Sequence, residues 1–199
     1  MHNYLLNFDI KSDWHIGSGK EGGAYADALC LKNNEGLPYL PGKSCKGLLR
    51  DAFETAKNAG WIEQHMVDLL FGVENREGAQ QQGMLQITSA QLCEQESHYI
   101  VSKKAAKYLY RVVQYTAIDE LTGTAKQSSL RSLEVSVPML LAAQIRINTA
   151  HPAYLENSNR IQIDKKFEQW LTCAITLISE LGAKRHRGLG KVTVSAKKV

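Results

Sequence analysis

The residues best suited to bind an anion lie in the segment 181–192, LGAKRHRGLGKV, which we call the basic loop. Its glycines let the backbone approach a ligand closely, and free N–H groups beside clustered guanidinium groups form a cradle for phosphate. The residues that we predict to bind phosphate here are Lys184, Arg185, His186, Arg187, Gly188, Gly190 and Lys191. The loop is not a Walker motif, because it lacks G-K-[ST]. A solvated turn is the alternative.

A second cationic cluster lies in the stretch 36–51, GLPYLPGKSCKGLLRD. The apolar residues that end it recur at helical spacing, so we predict a helix that begins at about Ser44, a suitable N-cap. The start of a helix is the positive end of its dipole, yet this one carries Lys43, Lys46 and Arg50. We therefore predict a phosphate bound there by these three cations and Ser44. Lysines that merely point into solvent are the alternative.

Composition and charge narrow the classes of function. Residues 182–199 contain six basic residues and no acidic one, whereas the rest of the chain contains 18 basic and 20 acidic residues. This asymmetry predicts a polyanionic partner. The four cysteines form no C-x-x-C pair, so neither a disulfide framework nor a zinc site is indicated. With no signal-peptide-like or membrane-spanning stretch, we expect a cytoplasmic protein without a membrane partner.

The elements that must position these residues alternate between strand and helix. Tyr4, Leu6, Phe8 and Ile10 alternate with outward-facing residues, which is typical of a half-buried strand. The elements predicted after it are a short strand at 28–32, helices at about 44–60 and up to Gly72, a polar loop at 73–83, strands at 84–92 and within 133–147, a helix within 165–181 and a final strand, KVTVSA. This order predicts an α+β fold with a ferredoxin-like sheet and its helices on one face.

Several of these motifs resemble the RAMP superfamily of CRISPR-associated proteins, most closely the repeated backbone subunit of type III effector complexes. The matching features are the glycine-rich loop 17–23, Asp27, the P-Y-L-P-G turn at 38–42, Ser44, Lys46-Gly47, Arg50, L-F-G at 70–72, AIDELTGTAKQSSLRSLE at 117–134 and the loop at 182–190. The chain departs from the family pattern at Cys45, Glu120 and Arg131, where the family prefers an aliphatic residue, arginine and an aromatic residue. The last two changes bear on contacts of the mid-chain insertion and not on the fold.

The resemblance implies one RAMP domain over residues 1–199. Its ferredoxin-like (RRM-type) core would span about 1–93 and 132–199, and a thumb-like β-hairpin insertion would span about 94–131. Such subunits bind guide RNA (crRNA) along a filament of identical copies, together with other effector subunits and target RNA. Both cationic clusters would then hold the crRNA backbone. The insertion supplies Tyr108, Tyr110 and Arg111 for base stacking and phosphate contact, with ordinary strand packing as the alternative for the tyrosines.

The resemblance also implies an activity. Asp27 occupies the position of the aspartate that cuts target RNA in active members, where it would hold Mg²⁺ (or Mn²⁺) or assist removal of the 2′ proton. The predicted function is a metal-dependent endoribonuclease that cleaves target RNA at regular intervals. Two alternatives stay open. One is a non-catalytic crRNA-binding subunit, and the other is a metal-independent crRNA-processing enzyme that uses His15 for acid–base chemistry.

Overall fold

The computed structural model describes residues 3–74 and 80–199. Its strands are β1 (Asn3–Ile10), β2 (Gly72–Glu74), β3 (Gln80–Gln82), β4 (Leu85–Ile87), β5 (Tyr110–Tyr115), β6 (Arg131–Ser136), β7 (Met139–Ile147) and β8 (Val192–Lys198). Its helices are α1 (Gly42–Asn58), α2 (Gln64–Phe71), α3 (Glu94–Ser102), α4 (Pro152–Leu155) and α5 (Asn157–Ile175). Short 3₁₀ turns cover Ala106–Leu109 and Arg185–Arg187. Within the described ranges, no helix has the length and apolar character needed to cross a bilayer.

Four strands form the central antiparallel sheet in the order β4–β7–β1–β8. β1 holds this sheet together, since Phe8 pairs with Leu141 of β7 on one side and with Val194 of β8 on the other. α1 follows β1 and α5 follows β7 along the chain, and both helices pack on the same face of the sheet. This connectivity is that of a ferredoxin-like fold, which confirms the predicted α+β class.

The core lies between this face and the two helices. Alternate residues of β1 are buried while those between them are half-exposed, as the period of a strand requires. Phe53 of α1 meets Phe71 of α2 edge-on, with ring centroids 5.2 Å apart, and Tyr4 meets Phe167 of α5 at 5.5 Å. Aromatic pairs at this spacing contribute about 0.5–1.5 kcal/mol each beyond the area that they bury. The apolar residues that recur at strand or helix spacing in the sequence are thus the ones that form the core.

Several local predictions differ from the structure. The helix predicted within 165–181 covers Asn157–Ile175, and the strand predicted at 84–92 is only Leu85–Ile87. α1 begins at Gly42 with the extended residue Pro41 at its N-cap, so the prediction of Ser44 as the N-cap is wrong. The strand predicted at 28–32 is only a series of isolated bridges. Within the predicted polar loop 73–83, β2 and β3 pair with each other, and the residues between them lie outside the described ranges.

β5 and β6 form a hairpin that corresponds only in part to the predicted thumb-like insertion 94–131. The insertion also contains α3, and all of β6 except Arg131 lies in the predicted core. The two strands pair antiparallel from Tyr110 opposite Ser136 to Tyr115 opposite Arg131. β6 crosses the boundary that we predicted between the insertion and the core, at residues 131 and 132. The division of the chain into these two parts stays a prediction. The base of the hairpin is fixed to the segment after β1, where Trp14 and Ser136 exchange two main-chain hydrogen bonds of 3.0 and 2.8 Å.

A buried carboxylate fixes the glycine-rich N-terminal segment against β6. Glu134 is 2% exposed, and its oxygens accept hydrogen bonds from Lys32 Nζ and from the Cys30 N–H, both at 2.9 Å. The Glu134 carbonyl also lies 2.7 Å from His15 Nδ1. A charge is tolerated in the interior only when it is paired and hydrogen-bonded. These contacts therefore hold the chain just after Asp27 close to the hairpin.

The basic loop lies against residues 11–15, which directly follow β1. Three N–H groups of the loop donate to this segment: Ala183 to the His15 carbonyl (2.9 Å), Gly190 to the Asp13 carbonyl (2.7 Å) and Lys191 to Ser12 Oγ (3.0 Å). The N–H group of Gly190 is thus used inside the protein. Its predicted role, a free backbone group for a ligand, is contradicted by this contact.

The two glycines of the basic loop that were predicted to bind phosphate serve different purposes. Both have left-handed backbones, with φ of 79° at Gly188 and 74° at Gly190. Gly188 is exposed, and a Cβ added there would meet no other atom within 4 Å. Gly190 is buried, and a Cβ there would lie 1.9 Å from the Leu181 carbonyl oxygen. Of these two glycines, only Gly190 is therefore required by close packing.

This difference predicts unequal effects of two matched substitutions. We expect Gly188→Ala to lower the free energy of unfolding by about 1 kcal/mol, because only the left-handed conformation opposes it. Gly190→Ala should lower it by about 3 kcal/mol or more, because the main chain at Leu181 must move as well. Urea unfolding of both variants measures the difference. Equal losses would contradict the packing role of Gly190.

Candidate nucleic-acid interface

The cationic side chains of the basic loop are exposed. A 3₁₀ turn over Arg185–Arg187 is bounded by two left-handed residues, Lys184 (φ 60°) and Gly188 (φ 79°). None of the loop cations, which are Lys184, Arg185, Arg187 and Lys191, forms an ion pair with a described residue. His186 is exposed beside them. Exposed guanidinium and ammonium groups held on a tight turn suit the binding of phosphate.

A tyrosine of the hairpin contacts two of these cations. Tyr115, the last residue of β5, is half-buried, and its ring centroid lies 5.4 Å from Lys184 Nζ and 5.3 Å from Arg187 Cζ. Cations within about 6 Å of an aromatic ring are attracted to its negative face. The sequence did not predict this contact, because it joins segments far apart along the chain. The mixture of tyrosines and basic residues in the insertion was the only signal.

The start of α1 is less open to an anion than predicted. The Gly42 N–H donates to Ser89 Oγ at 3.1 Å, so one of the free N–H groups of the helix is already used. A Cβ at Gly42 would lie 2.8 Å from the Ile87 carbonyl oxygen, which shows how closely the helix start is packed. Ser44 is half-buried in the first turn, and no side chain caps the helix.

The three cations at the start of α1 differ in their exposure. Lys46 is half-buried, and its Nζ donates to the Leu85 carbonyl at 3.1 Å. Burial and the nearby charge of Arg50 lower the pKa of Lys46. Lys46 therefore anchors α1 to β4, contrary to the prediction of a free phosphate ligand. Lys43 and Arg50 are exposed, and their binding of phosphate stays a prediction.

A surface groove of about 290 Å³ joins the basic loop to the middle of α1. Its lining includes Leu48, Asp51, Ala52 and Thr55 of α1, and Arg185 and His186 of the loop. The structure thus brings the basic loop beside α1. Lys43 and Lys46 are not among the residues that line the groove between the loop and the helix. Asp51 and Glu180 add carboxylates to the lining. The exposed turn is therefore better suited to phosphate than the groove itself.

The two predicted thumb tyrosines have different surroundings. Tyr108 is 72% exposed, and Lys107 Nζ lies 5.0 Å from its ring centroid. Tyr110 is half-buried, its hydroxyl donates to the Gly36 carbonyl at 2.8 Å, and Lys32 Nζ lies 4.0 Å from its ring. Burial raises the pKa of Tyr110. The prediction of Tyr110 as a free stacking surface is thus corrected, whereas Tyr108 has an accessible ring.

Arg111 is engaged within the protein. Its Nε and Nη2 donate to Asp13 Oδ2 at 2.8 and 2.5 Å. Asp13 is 9% exposed, and its other oxygen, Oδ1, is buried without a hydrogen bond from any described residue. Arg111 compensates this buried charge, although its own side chain is 62% exposed. Arg111 therefore fixes the hairpin to the segment after β1. The sequence did not predict this structural role.

Asp27 is exposed near the hairpin, next to β6. Its Oδ2 accepts hydrogen bonds from the Ser132 N–H at 2.7 Å and from Ser132 Oγ at 3.2 Å, and its own N–H donates to the Ser132 carbonyl at 3.0 Å. Ser132 thus fixes the orientation of the carboxylate and occupies one of its oxygens. The other oxygen, Oδ1, accepts no hydrogen bond from a described residue.

The surroundings of Asp27 limit how a metal ion could be bound. The described residues contain no group of three or more His, Cys, Asp or Glu side chains suited to a metal ion. Mg²⁺ commonly binds through one or two carboxylates, keeps several waters and takes further ligands from substrate phosphates. Asp27 Oδ1 fits the first part of such a site, so this chain would supply one ligand and RNA would have to supply others.

The structure contradicts the predicted alternative that uses His15 for acid–base cleavage. His15 is 4% exposed, and its Nδ1 lies 2.7 Å from the Glu134 carbonyl and 3.5 Å from Cys30 Sγ. A ring held in this way cannot reach a ribose or a phosphate. His186, in contrast, is exposed and lines the groove beside α1.

Solved structures share the fold of the whole chain. A chain in the cryo-EM structure of the type III-B Cmr-beta bound to cognate target RNA has a TM-score of 0.70 at 10% sequence identity, covering 98% of this chain and 97% of that one. A chain of type III-B Cmr-beta in the apo state has a TM-score of 0.65 at 11% identity, with the same coverage. At such identities the likeness concerns the fold. No curated protein sequence matches.

The sequence itself also matches a protein family. The model of the RAMP superfamily matches residues 7–193, a range that includes Asp27, the hairpin and the whole basic loop. This match covers nearly the whole chain and agrees with the ferredoxin-like topology of the sheet. The chain therefore belongs to the RAMP superfamily.

Proposed function

We propose that this chain is an RNA-binding subunit of a type III CRISPR effector complex. Its partners would be crRNA, target RNA, further copies of itself in a filament and other effector subunits, in the cytoplasm. The observation that carries the proposal is the group of exposed cations on the basic loop, next to the aromatic residues of the hairpin. Membership of the RAMP superfamily and the fold shared with Cmr-beta chains support it.

Phosphate contacts would supply most of the affinity for RNA. Lys184, Arg185 and Arg187 lie together on one turn and are not neutralised by a described carboxylate. Each phosphate that they neutralise releases a condensed counterion, which favours binding without regard to sequence. Binding of this kind suits a subunit that must hold guides of many sequences. The exposed ring of Tyr108 would add about 1–3 kcal/mol by stacking on a base.

We further propose that Asp27 promotes cleavage of target RNA. Ser132 orients the carboxylate through Oδ2, and Oδ1 is left to act on the substrate. Oδ1 would accept the proton of a ribose 2′-OH while the 2′-oxygen attacks the adjacent phosphorus and the 5′-oxygen leaves. The products are a 2′,3′-cyclic phosphate and a 5′-hydroxyl, the latter protonated by water. In the alternative role of Asp27, Oδ1 together with RNA would hold a Mg²⁺ or Mn²⁺ ion, which would supply stabilisation of charge on the phosphate, and water would then take up the 2′ proton.

A second candidate function is a crRNA-binding subunit without catalysis. The observation that favours it is the isolation of Asp27, which has no second carboxylate, histidine or lysine among its hydrogen-bond partners in the described ranges. A single exposed aspartate that bonds to a neighbouring strand also serves to fix a loop. Cleavage measured in an assembled complex separates this function from the first.

The first prediction concerns the basic loop. Changing Lys184, Arg185 and Arg187 together to Ala should weaken the binding of single-stranded RNA to a similar degree for every sequence. The slope of log K against log salt should become shallower by about 2, since each phosphate contact with a single strand contributes about 0.7. Fluorescence anisotropy with two labelled RNAs of different sequence, at about 50–200 mM salt, measures both effects.

The control removes the same charge elsewhere. Arg160, Lys165 and Lys166 are exposed on the N-terminal half of α5. Their joint change to Ala should leave the salt slope within error of the unmodified protein. If both triple variants shift the slope equally, the effect is one of net charge, and the assignment of phosphate contacts to the basic loop is wrong.

The second prediction concerns Asp27. In an assembled complex with Mg²⁺, we expect target RNA to be cut at regular intervals, and Asp27→Asn to slow this cleavage by about 100-fold or more, because the amide cannot accept the proton. RNA affinity should change less than twofold. Denaturing gels of end-labelled target and a parallel binding assay give both values, and chelation of the metal tests its part in the reaction.

Glu21→Gln is the matched control, since Glu21 is an exposed acid of the same glycine-rich segment. It should cleave at the unmodified rate. Cuts that persist in Asp27→Asn would exclude Asp27 as the catalytic residue. Complete absence of cuts in the unmodified complex, with RNA bound, would favour the non-catalytic function.

A further inference from the structure

We propose that Tyr115 is a positioning residue that holds Lys184 and Arg187 in place for RNA phosphates and thereby joins the thumb-like hairpin to the basic loop. The inference rests on the proposed RNA-binding function and goes beyond it, because it gives a role to a residue outside the group of cations proposed to contact phosphate. It also makes the placement of the loop depend on the hairpin.

The geometry of the ring is the first observation. Lys184 Nζ and Arg187 Cζ lie at 5.4 and 5.3 Å from the Tyr115 centroid, so one ring attracts two of the three cations of the turn. The Tyr115 hydroxyl forms no hydrogen bond with any residue that the structure describes. The contact is therefore made by the ring and not by the hydroxyl, and a phenylalanine can provide it.

The backbone of the turn is the second, independent observation. Lys184 is left-handed at φ 60°, where a residue with a Cβ is disfavoured by about 1–2 kcal/mol. Non-glycine residues persist in such conformations only when the surroundings fix them. Two cation–π contacts of about 0.5–1 kcal/mol each are of the size needed to offset this cost. The ring of Tyr115 thus adds to the main-chain hydrogen bonds that hold the loop, and its two contacts are large enough to offset the cost of the left-handed residue.

A second link between the same two elements surrounds Asp13. Its carboxylate accepts hydrogen bonds from Arg111 of β5, and its carbonyl accepts one from the Gly190 N–H at the other end of the basic loop. β5 therefore contacts the loop directly at Tyr115 and through Asp13 at Gly190. A displacement of the hairpin would move both ends of the loop.

The experiment replaces Tyr115 by Leu, by Phe and by pentafluorophenylalanine. Fluorination keeps the shape of the ring but removes the negative charge of its face, so it opposes cation–π attraction without creating a cavity. With labelled single-stranded RNA, we expect Phe to bind within twofold of Tyr. Pentafluorophenylalanine and Leu should each weaken binding about fivefold or more and make the salt slope shallower.

A double-mutant cycle tests whether the ring acts through the two cations. In the background Lys184→Ala with Arg187→Ala, Tyr115→Leu should change the RNA affinity by less than about 1.5-fold, because nothing is left for the ring to position. A general structural role would weaken binding equally in both backgrounds. Urea unfolding of each variant shows whether the fold is retained, and the fluorinated variant tests the inference even if Leu does not fold.

The outcomes separate this inference from the proposed function. If neither the triple change in the basic loop nor any Tyr115 variant alters RNA binding, the assignment of phosphate contacts fails. If the triple change weakens binding but pentafluorophenylalanine binds like Phe, only the positioning role of Tyr115 is overturned. A fivefold loss with pentafluorophenylalanine that disappears in the Lys184 and Arg187 background supports both.

Discussion

The rest of the interface depends on the hydrogen bonds of residues 11–15. This segment leaves the central strand β1, and an irregular segment that packs inside a protein must find partners for its backbone groups. It finds them in the basic loop on one side and in β6 on the other. Because this one short segment forms hydrogen bonds with both the basic loop and β6, the loop and the hairpin are fixed relative to the sheet. Their side chains can therefore form one surface.

Much of the fold could be predicted from the sequence because the spacing of apolar residues indicates which segments are strands and which are helices. The alternation in β1 and the helical spacing in α1 reflect which residues face the core, and the topology followed from the order of the elements. The ends of the helices were harder to predict. α5 begins at Asn157, among polar residues with no apolar pattern. α1 begins at Gly42, after Pro41, because a proline with an extended ψ can precede a helix as well as a capping serine can.

The candidate site was predicted less well, because its contacts are long-range. The family resemblance marked Tyr110 as an RNA-binding residue, yet it is half-buried and its hydroxyl donates to the Gly36 carbonyl. Residue type marked His15 as a possible acid–base group, yet it is buried. Lys46 is basic in the sequence but donates to a main-chain carbonyl in the fold. Conversely, Tyr115 carries no motif, and only the pairing of β5 with β6 and the docking of the basic loop bring it to two cations.

The edges of the sheet also constrain how copies of the chain can associate. One outer strand, β4, has only three residues, and the other, β8, ends in two exposed lysines, Lys197 and Lys198. Short strands and lysines at an edge discourage the pairing of strands between molecules. Assembly by continuation of the sheet from one copy to the next is therefore disfavoured. Under the proposed function, an ordered array of copies would instead be held through helices, loops and the RNA that they share, and the RNA would then set its length.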